Sequence, residues 1–213
     1  MKGTIKMITP FAVSNQLTEY VVKQVPEYKV RKDTIRYGLE WTISIVIQIT
    51  LVTIIASLLG ILSEALITLL TGAVLRAFGG GAHFKSYTKC VMYSSFIILF
   101  ISILAGSFLF LNFIHITLIY IYAMYIYILK APVLHKTKIL FNERKKLKFK
   151  VISLIFLTVL FLLTILIVES SHSNHSLITC LWISVLFQSV SLTNVHHSIT
   201  DWLDIKTTKK GVY

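Results

Sequence analysis

The chain has 213 residues, is 55% hydrophobic with only 14% charged residues, and has a mean hydropathy of +0.77. Uncharged runs long enough to cross a bilayer exclude an ordinary soluble domain and predict an all-α, polytopic integral membrane protein with about six transmembrane helices. The net charge of +12 would suit nucleic acid in a soluble protein. In a membrane protein basic residues record topology instead, so no nucleic-acid partner is expected.

Residues 1–40 are mixed, with Leu17, Tyr20, Val21, Val25 and Tyr28 at roughly helical spacing. Pro10 and Pro26 should divide this region into short amphipathic helices lying in the membrane interface. Pro10, Glu19 and Lys23 interrupt any apolar core here, so no secretory signal is evident. Residues 41–62 are 22 without charge, enough for one span, and Glu64 marks a turn. The apolar run at 65–75 is too short to cross alone, but it suffices if it continues to about Gly81. Residues 41–90 then hold the first two spans and the segment between them.

Residues 90–129 are 40 without a formal charge, twice a single span, and predict a hairpin turning near Leu111 and Asn112. His115, just past that turn, reads as a neutral interfacial residue. A basic loop follows at 130–150, and 151–168 with 177–195 give the last hairpin before a polar tail ending at 213. The whole is one membrane domain. Cys180 lies inside an apolar run and reads as a small buried hydrophobe, and two cysteines give little support to a disulfide framework.

Six crossings threaded through these runs put every Lys and Arg on one side. Seven fall before the first span, three in residues 76–90, eight in the central loop and three in the tail, which accounts for all 21. The opposite turns hold Glu64, Glu169, His172 and His175. The positive-inside rule then predicts a cytoplasmic location for both termini, the central loop and residues 76–90.

Residues 76–90, RAFGGGAHFKSYTKC, carry the chemistry. A thiolate is the reactive form of cysteine and needs a base or a positive charge nearby. His83 is placed to take the proton of Cys90 and return it to a leaving amine. Arg76, Lys85 and Lys89 add positive potential, although Lys89 would point about 100° away from Cys90 on a helix. In a continuous helix His83 and Cys90 would stand about 10.5 Å apart along the axis, so a break between them is expected. Gly79, Gly80 and Gly81 free the backbone just before it and could offer N–H groups to an oxyanion.

Several of these residues have a plainer use. Arg76, close to the membrane edge, either serves the site or snorkels to the lipid headgroups. Ser86 either orients the imidazole or caps the local backbone. One His and one Cys fall short of the ligands zinc takes, so neither a metal nor a cofactor is expected. With no acid beside the pair and Glu40 the one membrane-edge acid on that side, a Cys90–His83 dyad rather than a triad is predicted. The residues alone leave both catalysis and structural use open.

An Arg, then Gly80–Gly81–Ala82–His83, then Cys90 seven residues after the His, followed by a basic loop opening Lys130–Ala131–Pro132, resembles the accessory gene regulator B (AgrB) family. The resemblance spans essentially the whole chain. It implies a membrane-embedded cysteine endopeptidase of Gram-positive quorum sensing, located in the bacterial plasma membrane. Cys90 would be the nucleophile and His83 its base, with Arg76, Gly80, Gly81, Ser86 and Lys130 supporting the site or binding substrate. The implied partners are membrane lipid, a second copy of the chain in a homodimer, and a short AgrD-like pro-peptide. That pro-peptide would be cut to a Cys90 thioester and closed to a thiolactone or lactone.

A peptide exporter without covalent chemistry is the competing reading. It calls for charged or broken spans and often an internal repeat, and the spans after Cys90 show neither clearly. A purely structural protein leaves the clustering of Arg76, His83 and Cys90 unexplained.

Overall fold

The computed structural model describes residues 9–82, 84, 86–107, 109–133, 142–169 and 175–209. Among these the chain is helical apart from turns and one isolated bridge between Gly80 and Val133. Five helices are long and apolar enough to cross a membrane, or six if a bent C-terminal pair is one span. The chain is a multi-pass membrane protein.

Helix α1 (Pro10–Gln24) starts on a proline, and Thr9 caps it by accepting the Ala12 N–H at 3.2 Å. It buries its small residues Ser14 and Thr18 and exposes Phe11, Leu17 and Tyr20. Pro26 opens a short 3-10 helix (Pro26–Arg31). Helix α2 (Lys32–Leu58) follows directly, so the amphipathic region ends well before residue 40. Arg36 fixes the junction: its guanidinium lies 5.0 Å above the Phe11 ring and 3.3 Å from the Glu40 carboxylate.

The first hairpin turns at Gly60, with a positive φ of 70°, and the Ile61 N–H reaches back to the Ala56 carbonyl. Glu64 therefore stands in the first turn of α3 (Leu62–Gly79) rather than at the turn itself, and accepts a hydrogen bond from Ser176 Oγ at 3.1 Å. Helices α4 (Tyr87–Ser107) and α5 (Phe113–Lys130) follow in the expected order but do not pack together as the expected hairpin, because each lies against α7 (His175–Val190) instead. Asn112, where the expected turn falls, caps α5 through the His115 N–H.

Helix α6 (Glu143–Glu169) begins eight residues earlier than the apolar run. Asn142 accepts the first free N–H groups, and Arg144, Lys145, Lys146, Lys148 and Lys150 ride on the helix. At 27 residues it is about 40 Å long, more than the ~30 Å hydrocarbon core, so its charged turns project beyond the membrane. Lys150 Nζ bonds the Ile128 carbonyl near the C-terminus of α5, 2.8 Å away. The second half of the predicted basic loop is thus helix. Residues 134–141 lie outside the described residues.

Helix α7 (His175–Val190) is the central one, packed by α3, α4 and α5. Its Trp182 is fully buried and donates to Thr164 Oγ1 at 3.1 Å, which removes the cost of an unpaired indole N–H. Small residues let α3 and α7 approach: a Cβ on Gly72 would stand 3.4 Å from Ser184 Oγ, and that hydroxyl donates to the Thr68 carbonyl. After a bend of 79° the chain continues as α8 (Asn194–Lys209). The apolar run expected to end near 195 therefore stops as helix at Val190, and the following turn changes direction.

Candidate active site

The loop between α3 and α4 is the meeting point. Helix α3 ends at Gly79 and α4 begins at Tyr87, so no helix runs from residue 83 to 90. His83 and Lys85 lie outside the described residues. Cys90 occupies the first turn of α4, where its N–H bonds the Ser86 carbonyl at 3.1 Å, and Ser86 stands immediately before the helix.

Arg76, in the last turn of α3, turns inward instead of reaching for headgroups. Its Nη2 donates to the Ala82 carbonyl at 2.6 Å and lies 4.0 Å from Cys90 Sγ. One guanidinium therefore holds the loop and presents its charge to the sulfur. Lys89 points elsewhere, to Asp204 of α8 at 3.3 Å, as its helical offset from Cys90 requires. Glu40 pairs with Arg36.

The three glycines are packing requirements. A Cβ on Gly79 would meet Tyr127 Cε1 at 2.6 Å, and one on Gly80 would collide with the Val133 carbonyl oxygen. A Cβ on Gly81 would come within 2.8 Å of Ser191 Oγ. Gly80 and Gly81 also have φ of 75° and 141°, conformations that L side chains rarely adopt. The Gly80 N–H is used to cap α3 on the Arg76 carbonyl, and the Ala82 N–H goes to the Ser191 carbonyl. The Gly80 N–H is thereby committed to the fold and not presented to an oxyanion.

Two distant segments hold this loop, and sequence reasoning missed both. The Val133 N–H bonds the Gly79 carbonyl at 2.9 Å, which brings the start of the basic segment, and Lys130 at the exposed end of α5, alongside the glycines. From α7, the buried Gln188 donates to the Gly80 carbonyl at 2.8 Å. A glutamine within an apolar run was the available signal, since a polar side chain at membrane depth marks a working position by default. Nothing local in the sequence marks Val133.

Residues 14–192 match the family described as Accessory gene regulator B. The chain is also 31% identical, over 92% of its length and 97% of theirs, to two AgrB-like proteins of Clostridium perfringens, from strains SM101 and 13. The chain belongs to the AgrB family. No solved structure matches it. In this AgrB-family protein the matched region ends at Leu192, at the bend that follows α7. Everything contributed by α8 lies beyond it.

Proposed function

We propose that this AgrB-family protein is a cysteine endopeptidase that processes an AgrD-like pro-peptide at the cytoplasmic face of the plasma membrane. The observation that carries the reading is the Arg76 guanidinium 4.0 Å from Cys90 Sγ, at the open junction of α3 and α4. The guanidinium holds the loop beside the sulfur and can pair with the charge the sulfur carries when it attacks, and family membership supplies the substrate class.

The Cys90 thiolate attacks the scissile carbonyl, and the C–N bond breaks. His83, which took the thiol proton, gives it to the departing amine, and the C-terminal fragment leaves. The upstream peptide stays on Cys90 as a thioester. A cysteine or serine within that peptide then attacks the thioester, closes a thiolactone or lactone ring and frees Cys90. Exchange of one thioester for another consumes no external energy beyond ring strain. A tethered thiol outcompetes water because oriented intramolecular attack reaches effective molarities of about 10⁵–10⁸ M.

An amphipathic pro-peptide would share the interface in which α1 lies. Acidic residues in its tail would suit Lys130 and the charged turns of α6. The distribution of Lys and Arg supports the cytoplasmic orientation, and a homodimer is part of the proposal on the family likeness alone.

The test is incubation of the purified protein in lipid with its cognate AgrD-like pro-peptide, followed by intact mass analysis. Wild type is run beside Cys90→Ala and His83→Ala. A hydroxylamine-sensitive adduct on wild type, absent from Cys90→Ala, is the expected result. Uncut peptide in all three samples despite binding would overturn the endopeptidase and leave the exporter.

A further inference from the structure

Helix α8 hides polar residues. His196, Thr200 and Asp204 recur every four residues on one face and are all buried, with 5%, 2% and 3% of their surface exposed, while Val195, Ile199 and Trp202 are exposed. A helix that tucks its titratable groups inward and shows apolar ones outward must have polar partners beneath it.

Those partners flank the nucleophile. Lys89 and Tyr93, also four residues apart, lie on α4 on either side of Cys90. Asp204 Oδ1 is 3.3 Å from Lys89 Nζ, and His196 Nε2 shares a 3.3 Å hydrogen bond with the Tyr93 hydroxyl. The Tyr93 ring in turn lies 5.1 Å from the ring of Phe84, the residue after His83, and His196 packs edge-on to Phe187 of α7 at 5.6 Å. His196 Nδ1 is buried and finds no hydrogen-bond partner among the described residues. A buried imidazole with one nitrogen unsatisfied is poor structural glue, so its placement calls for another reason.

We propose that α8, which lies beyond the stretch matched by the family model, positions Cys90 and the described end of the loop that precedes it. His196 fixes Tyr93 and through it Phe84, and Asp204 anchors the turn of α4 that carries Cys90. His196, Asp204 and Tyr93 are positioning residues: they act through the loop and the helix, and none reacts. The inference rests on the endopeptidase reading for its consequence, but its geometry is independent of it.

The test uses the full-length protein in lipid and two readouts. One is the rate of acyl-enzyme formation at saturating pro-peptide, with KM measured separately. The other needs no peptide: the rate of Cys90 alkylation by chloroacetamide at pH 7, read by mass at Cys90. His196→Phe and Tyr93→Phe should each slow acylation roughly tenfold or more, in line with the cost of misplacing reacting groups by an ångström, with KM little changed. Both should also slow alkylation, and the double variant should be no worse than either single one. His196→Gln, which keeps a nitrogen near the Nε2 position, should recover most of the loss. Asp204→Asn should slow both reactions.

Tyr93→Phe removes one oxygen and carries the test even if His196→Phe does not fold. Wild-type acylation and alkylation rates in a folded Tyr93→Phe or His196→Phe protein would overturn the proposal. A wild-type protein that forms no acyl-enzyme would overturn the endopeptidase instead, and the alkylation rates alone would then decide the positioning role.

Discussion

Gln188 donates a 2.8 Å hydrogen bond to the carbonyl of Gly80, a residue 108 positions earlier in the chain. The last apolar helix thereby holds the loop that bears the motif. Replacing the amide by an apolar group of similar size leaves that carbonyl without its partner. Gln188→Leu should cost about 1 kcal/mol, the low end of the penalty for an orphaned acceptor, because the bond is only partly buried. A lower unfolding temperature in lipid, with cleavage reduced in parallel, is the expected result.

Arg76 bonds the Ala82 carbonyl and faces Cys90 Sγ through the same nitrogen. Lysine keeps the charge but not the planar fork of donors. Arg76→Lys should therefore behave almost as badly as Arg76→Gln. Both should lose about 10²-fold in acylation rate, on the scale of a misplaced reacting group. Single-turnover mass analysis at saturating pro-peptide checks this, and a lysine variant near wild type would show that charge alone suffices.

Gly81 has a φ of 141°, and a Cβ there would come within 2.8 Å of Ser191 Oγ. Gly81→Ala should lose about 1–3 kcal/mol through backbone strain and the contact together. Ser191→Ala removes the contact but also the 2.7 Å hydrogen bond that Ser191 Oγ donates to the Gln188 carbonyl, so Gly81→Ala should cost less in the Ser191→Ala protein than in wild type, though still something. Thermal unfolding of wild type, both single variants and the double variant separates the two contributions.

Lys130 stands exposed at the end of α5, three residues before Val133, which pairs with Gly79. If it meets an acidic pro-peptide tail, Lys130→Gln should raise KM by about two- to fivefold at low salt, the worth of an exposed ion pair. The difference should shrink as salt screens the pair. Equal KM values for both proteins at low salt would remove Lys130 from substrate binding.

Orientation is testable directly. In a Cys90→Ala, Cys180→Ala background, Leu109→Cys at the α4–α5 turn should react with an impermeant thiol reagent added to whole cells. Arg144→Cys, in the first turn of α6, should react only after the membrane is opened. The reverse pattern would invert the topology and put the loop of Arg76 and Cys90 outside.

The sequence by itself determined the class, the spans and the motif. A bilayer imposes one apolar length on every crossing helix, and proline, glycine and asparagine stop helices by local chemistry. Hence Pro10, Pro26 and Asn112 were legible as boundaries, and the spacing of His83 and Cys90 required a helix break that the start of α4 at Tyr87 supplies. Only the tertiary structure decided what holds the loop. The partners of Gly79, Gly80 and Ala82 come from Val133, Gln188 and Ser191, and those of Lys89 and Tyr93 from α8. Such contacts depend on where helices distant in the chain lie against one another. No local spacing encodes that; it follows from which small and polar faces can be buried together in a medium that satisfies neither.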